Sequence, residues 1–286
     1  MAKKETPGPM ALLQKQLNNK IVIKANALIQ QSGYKLSINE FRVLSIALSK
    51  INPEQTALAP VTISFSEVFS LINARDPGKS DYDHIKDISA SLKDKGWWMQ
   101  FDPNSDEITR VSWAEEVSIS EGSKKINFTF NKSLSPYLIQ VPEENSTQYR
   151  LSDAISFKHN MYGPRLLDLF KTHLHEKIWY VSIEDLRYNL GLIDKDEITG
   201  ETKERYLNVK ELRRCVLDPA IKEINSVSAF HVIANYSTNG GRKYTSVLFE
   251  IMTQEQYKDL KKHDAVEKAD IFSKEQLVKN EKSESQ

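Results

Sequence analysis

The chain has 286 residues, 40% hydrophobic and 27% charged, and its 39 basic and 39 acidic residues give a formal net charge of zero. That composition suits a globular chain of one large or, better, two modest domains, and without a basic excess any nucleic-acid binding must rest on local patches. One cysteine, Cys215, excludes an internal disulfide; no Cys/His cluster has zinc-ligand spacing, and no run of eighteen apolar residues reads as a membrane span.

The opening "MAKKETPGPM" lacks the apolar stretch of a signal peptide, so a cytoplasmic protein without membrane attachment is expected, with residues 1–20 as a flexible tail. A first domain is expected over residues 21–140. In "SINEFRVLSIALSKI", Phe41, Leu44, Leu48 and Ile51 recur at helical spacing, and Ser37 and Glu40 are placed as a capping box. After a loop containing Pro53 and Pro60, Val61, Ile63 and Phe65 alternate as in a strand before Ser66 opens a short helix. In "SDYDHIKDISASLKDKG", Tyr82, Ile85, Ile88 and Leu92 make an apolar stripe that Gly96 stops. "WWMQF", a turn in "DPNSDE" and "ITRVSW" then predict a hairpin.

Residues 141–150 read as a linker, and the same order returns about 120 residues after its first occurrence, over 151–252. "YGPRLLDLFKTHLH" is amphipathic through Leu166, Leu169, Phe170 and Leu174, and "WYVSIEDLRYNLGL" repeats the switch from strand to helix. At that switch Ile63-Ser64-Phe65-Ser66-Glu67-Val68 lies over Val181-Ser182-Ile183-Glu184-Asp185-Leu186 almost type for type. The third helix is "RRCVLDPAIKEIN", and "FHVIANY" and "YTSVLFEI" flank an Asn-Gly turn. Residues 253–286 are charged and expected as a disordered tail in which a short amphipathic helix would fit. Helix, short strand, helix, helix, ribbon is the order of a winged helix-turn-helix, so the expected fold class is α+β with two tandem winged-helix domains. The same order would also serve a small protein-docking domain.

On a helical wheel Val209, Leu212, Val216, Ala220 and Ile224 share one side, and the register runs through Pro219. A single bent helix and two helices abutting at an Asp218 cap both fit. Lys210 and Arg214 face away from the stripe and Arg213 sits at its margin. An outward arginine near the start of a major-groove helix can contact guanine with two hydrogen bonds, worth about 1 to 3 kcal/mol of discrimination; a solvated face pairing with Glu211 and Asp218 is the alternative. In the ribbon, Arg242, Lys243 and Tyr244 follow a flexible turn where cations can meet phosphate. In the first domain Lys79, Ser80, Tyr82, Lys86 and Lys93 stand against Asp81, Asp83 and Asp87, which predicts weaker or more backbone-directed contacts. With net charge zero, the acidic residues are expected on faces turned away from DNA.

"LRRCVLDPAIKEIN" followed by "NGGRKYTSVLFEI", preceded by "STQYRLSDAISFKHNMYGPRLLDLF" and "INFTFNKSLSPYLI", resembles the replication initiator (Rep) family of iteron-containing plasmids. "IVIKANALIQQSGYKLSINEFRVLSIAL" resembles the opening of that family, so the likeness runs from Ile21 to Ile251. It implies double-stranded DNA as partner: a monomer grips direct repeats at the origin, while a homodimer binds a related inverted repeat and represses its own gene. It also implies a host replication initiator and a helicase as partners, and dimerisation through the first domain and the segment near "PEENSTQYRL". By the same likeness Lys210, Arg213 and Arg214 lie on the main base-reading helix, and the helix from Lys79 meets the other end of the repeat. Cys215 stands where the family commonly carries a third basic residue, a departure that bears on base preference rather than on binding.

A tandem winged-helix repressor without an initiator role is the alternative. A strand-nicking enzyme would need a metal-binding histidine pair and a tyrosine nucleophile. His173, His175 and Tyr180 imitate these only superficially, because histidines two apart on a helix point to different sides and read better as C-terminal cations. No phosphate loop is present, so neither an enzyme nor a cofactor is expected.

Overall fold

The computed structural model describes residues 9–72, 79–101, 104, 106–195, 202–238 and 240–262. Inside the stretch expected as an N-terminal tail, Pro9–Asn18 forms helix α1, and its Leu17 is buried in the first core. Strand β1 (Ile21–Ala25) and helix α2 (Asn26–Gln31) lead into α3 (Ile38–Leu48). Ser37 and Glu40 close the expected capping box at the start of α3, and Phe41, Val43, Leu44, Ile46 and Leu48 are buried.

Strand β2 (Val61–Ser64) turns directly into α4 (Phe65–Ile72). The cap is Ser64 rather than Ser66: its Oγ accepts the Glu67 amide at 3.2 Å, while Glu67 accepts the Ser64 amide at 2.7 Å. Helix α5 (Lys79–Asp94) buries Ile85, Ile88 and Leu92. Gly96 opens β3 (Gly96–Met99), where a Cβ would stand 2.9 Å from the Val111 carbonyl. Strand β3 pairs with β4 (Thr109–Ser112) as the sequence predicts, although part of the intervening turn lies outside the described residues.

That hairpin is not the wing of the first domain. The wing is β5 (Ala114–Ser120) with β6 (Lys125–Phe130), which form a sheet of order β2-β6-β5. Its register sets Val61 opposite Phe128 and Ile63 opposite Ile126, so alternate residues of "KINFTF" fill the core. The β3-β4 pair is an addition to the repeated plan.

Helix α6 (Ser135–Leu138), β7 (Ser146–Arg150) and α7 (Leu151–Ile155) connect the halves. The expected linker is therefore partly strand, because β7 pairs antiparallel with β1, Val22 opposite Tyr149. Helix α8 (Gly163–Thr172), β8 (Ile178–Ser182) and α9 (Ile183–Asn189) repeat α3, β2 and α4. Ser182 caps α9 through the Asp185 amide at 2.9 Å, the counterpart of Ser64 and Glu67. This half carries an addition at a different point: β9 (Ile193–Lys195) pairs with β10 (Thr202–Glu204) between α9 and the third helix, whereas β3-β4 follows the third helix of the first half. The third helix runs as α10 (Val209–Leu212), a π turn over Arg213–Leu217 and α11 (Asp218–Val227). Strands β11 (Phe230–Ser237) and β12 (Ser246–Thr253) complete a sheet of order β11-β12-β8. In both sheets the second strand of the ribbon is central and the short strand after the first helix pairs with it, so the two halves share one topology. Helix continues over residues 254–262, with Tyr257 stacked on His231.

Two cores result, one drawing on residues 17–154 and the other on 157–251 together with Ile29 of α2. Their junction is close-packed. A Cβ on Gly33 would lie 2.8 Å from the Tyr188 carbonyl, and Gly191, at φ +61°, has room only for a glycine against Tyr34 and Lys35. Arg165 of α8 donates from Nη2 to the carbonyls of Ile29 and Ser32 in the first half, and from Nε to that of Asn189 in the second.

Candidate nucleic-acid interface

The question of one bent helix or two is settled by hydrogen bonding. Asp218 has helical dihedrals and donates its amide to the Arg213 carbonyl five residues back, so the chain stays helical through Pro219. Proline has no N–H for the ordinary bond to residue 215 and its ring crowds that carbonyl; one widened turn accommodates both defects. Asn208 caps the N-terminus of α10 through the Lys210 amide at 2.9 Å. Leu212, Val216, Leu217, Ala220 and Ile224 are buried beneath the helix, whereas Lys210 and Arg214 are exposed.

The start of that helix and the wing enclose one groove of about 950 Å³. Lys210, Arg242, Lys243 and Tyr244 line it, beside Asn208, Ser182 and Thr245. Four of the residues singled out in the second domain are thus brought together although the chain separates them by some thirty positions. Gly240, at φ +74°, turns the ribbon at its tip. Glu184 and Glu204 also line the groove, Glu204 held by Arg187 at 2.8 Å, so the expected separation of acidic residues from this face is incomplete.

Arg213 is placed differently from Arg214. It is half-buried, and its guanidinium lies 4.2 Å from the centre of the Tyr236 ring on β11. The Tyr236 phenol is pushed up to about 12, first by burial and then by the charge of Asp218, with Arg213 pulling in the opposite direction. At neutral pH it stays protonated.

In the first domain the residues of α5 are spread out. Lys79 opens the helix, and its side chain lies outside the described residues; Ser80 is exposed. Tyr82 packs its ring on Phe65 and Phe69 at 5.5 and 5.0 Å. Lys86 is paired with Glu121 at 2.5 Å and with Asp83 at 3.4 Å. Lys93 is exposed near the far end, about 21 Å along the axis from Lys79. Asp83 and Asp87 are exposed on the same helix, so carboxylates stand among its lysines, as the sequence indicates.

Lys124 and Lys125, at the tip of the β5-β6 wing, are exposed cations that the sequence reading passed over. Lys124 takes a left-handed φ of 52°, and its Nζ lies 5.2 Å over the Tyr82 ring. "EGSKK" between two alternating segments is the signal that marks this turn.

His173, the C-cap of α8, stacks on Trp179 with ring centres 5.4 Å apart, and burial lowers its pKa against the opposing charge of Glu176. Among the described residues no group of three or more His, Cys, Asp or Glu could hold a metal, and no helix is long and apolar enough to cross a membrane.

The family model of the initiator replication protein WH1 domain matches residues 21–171, and that of the initiator Rep protein WH2 domain matches 182–251. The first match extends through α8, whose Leu166, Leu169 and Phe170 pack in the second core. The crystal structure of the Pi initiator protein in complex with iteron DNA is similar in fold, with a TM-score of 0.67 over 83% of this chain and 99% of that one at 20% identity. The WH1 domain of MSBI1.176, a replication protein isolated from a multiple sclerosis patient, covers 34% of this chain and 74% of its own at 17% identity, with a TM-score of 0.28. No curated protein matches. The two family models together account for both halves of the molecule, and the chain belongs to the initiator replication protein family, with a WH1 and a WH2 domain.

Proposed function

We propose that this protein initiates plasmid replication by binding direct repeats, iterons, in duplex DNA at the origin. The observation that carries the proposal is the groove of the second domain, where Lys210, Arg242 and Lys243 surround the capped start of a helix that also exposes Arg214. In this reading α10 enters the major groove, Arg214 meets a base edge, and the wing cations with Tyr244 meet the backbone. The first domain contacts the other end of the repeat through Lys79 and Ser80 at the start of α5 and through its wing. Tyr82, Lys86 and Lys93 contribute less, because the Tyr82 ring is packed on Phe65 and Phe69, Lys86 is ion-paired, and Lys93 lies at the far end of the helix. The complex of the Pi initiator with iteron DNA supports the reading by likeness of fold.

As a homodimer, joined through the first domain, the protein represses its own gene at an inverted repeat. Origin opening draws on DNA bending and on a host initiator and helicase. Footprinting of the purified protein on the DNA flanking its gene tests the proposal. Protection of several direct repeats of about twenty base pairs, roughly two helical turns for two tandem domains, is expected. Protection of a single palindrome alone would instead identify a repressor.

A further inference from the structure

We infer that Arg213, although it belongs to the reading helix, is a positioning residue that sets the angle between that helix and the wing by stacking on Tyr236. The inference rests on the DNA-binding role proposed above and assigns this residue a different task from its neighbour Arg214.

Three observations point the same way. Arg213 begins the π turn and its carbonyl accepts the Asp218 amide, so its backbone is fixed at the point where the helix widens. Its guanidinium lies 4.2 Å from the centre of the Tyr236 ring, and Nε is buried with no hydrogen-bond partner among the described residues. A guanidinium centred over a ring with one donor sealed in cannot swing its fork toward a base edge without leaving the ring. Tyr236 in turn sits 5.7 Å from the ring of Tyr244, which lines the groove beside Arg242 and Lys243. The contacts therefore run from helix through Arg213, Tyr236 and Tyr244 to the wing tip. A base-reading helix and a phosphate-touching wing act together only if their spacing is held, and this stack crosses from one to the other.

The test uses the full chain and a duplex that the wild-type protein selects from a random-sequence library. Arg213→Met and Tyr236→Leu are each expected to weaken that duplex about fivefold or more, without altering preference at any single base pair or the slope of affinity against salt. The double variant should be no weaker than the weaker single variant, and Tyr236→Phe, which keeps a ring, should bind as wild type does. Lost preference at one base pair in Arg213→Met would make Arg213 a base reader, and a slope reduced by about one would make it a phosphate contact; either result overturns the inference, as does additivity in the double variant.

A second readout needs no DNA. The Thr245 amide, which donates to the Ser237 carbonyl at 3.0 Å across the base of the wing, should exchange its hydrogen faster in Arg213→Met and Tyr236→Leu while core amides stay protected. Unchanged exchange there sinks the clamp. If the library yields no preferred duplex, the DNA-binding proposal fails and the exchange measurement still decides the clamp.

Discussion

Lys24 on β1 and Asp168 on α8, 144 residues apart, form an ion pair sealed between the two domains, with side chains 1% and 0% exposed. Burial lowers the Lys24 pKa against the opposing pull of Asp168. The ammonium is flanked by the rings of Phe41 and Tyr149 at 5.7 and 5.4 Å, and the Tyr34 hydroxyl reaches the same carboxylate oxygen at 3.3 Å. With Arg165 bound to carbonyls of both halves, this network ties α8 to the first domain. The spacing between α5 and α10, the two helices proposed to meet DNA, is thereby part of the fold.

Removing one partner of a buried pair leaves the other charged and unsatisfied, at a cost of about 3 to 5 kcal/mol. Lys24→Met should lose about that much in urea denaturation, and Lys24→Met with Asp168→Leu should regain most of it. A neutral single variant would mean that the pair is hydrated in solution.

Glu40 gives the acid side of the stability curve. Burial alone would push its carboxyl up, but hydrogen bonds from Lys95, Ser91 and the Ser37 amide hold it below its ordinary value of 4.5. A depressed folded pKa contributes stability that is complete above the unfolded value and is lost as pH falls through the folded one. Stability should therefore decline from about pH 4.5 downward, and Glu40→Gln should show a shallower decline from a lower plateau. Parallel acid limbs in the two proteins would contradict this.

The π turn follows from Pro219, so Pro219→Ala allows the turn to close to ordinary α-helix. Folding stability should stay within about 1 kcal/mol of wild type or rise. Affinity for the preferred duplex should nevertheless fall about tenfold, because tightening the turn rotates Lys210 and Arg214 relative to α11. Unaltered affinity would show that the widened turn is incidental to binding.

In the first domain the wing tip should matter more than the middle of α5. Lys124→Ala with Lys125→Ala is expected to weaken all duplexes alike and to flatten the salt slope by about one per charge removed. Lys86→Ala should change little, since Glu121 already occupies that ammonium. The reverse ranking in a salt titration would move the contact from the wing to the helix.

The repeated plan was legible because it is written in local patterns. The Ser37–Glu40 capping box, the buried stripes of α3 and α5 and the turn after Tyr236 each follow from a few neighbouring residues, whereas the cap of α4 lies two residues before the expected Ser66, at Ser64, because β2 runs into the helix without a break. The first wing was misread because two hairpins follow α5, and only strand pairing shows that β6 and not β4 lies beside β2. The junction was opaque for a different reason: Lys24, Arg165 and Asp168 look like surface charges until a partner more than a hundred residues away buries them. The wheel and the turn single out Lys210, Arg214 and the wing cations, and Lys210, Arg242 and Lys243 do share one groove, but the wheel could not place Tyr236 beside Arg213.

The central claim is tested most directly by the affinity of Arg214→Ala for every single-base-pair variant of the preferred duplex, compared with Lys243→Ala. Arg214→Ala should lose about 1 to 3 kcal/mol on the preferred duplex and its discrimination at one base pair, at an unchanged salt slope. Lys243→Ala should weaken every duplex alike and lower the slope by about one. Uniform weakening by both would mean that the helix only rests on the backbone, and the account of a base-reading second domain would be wrong.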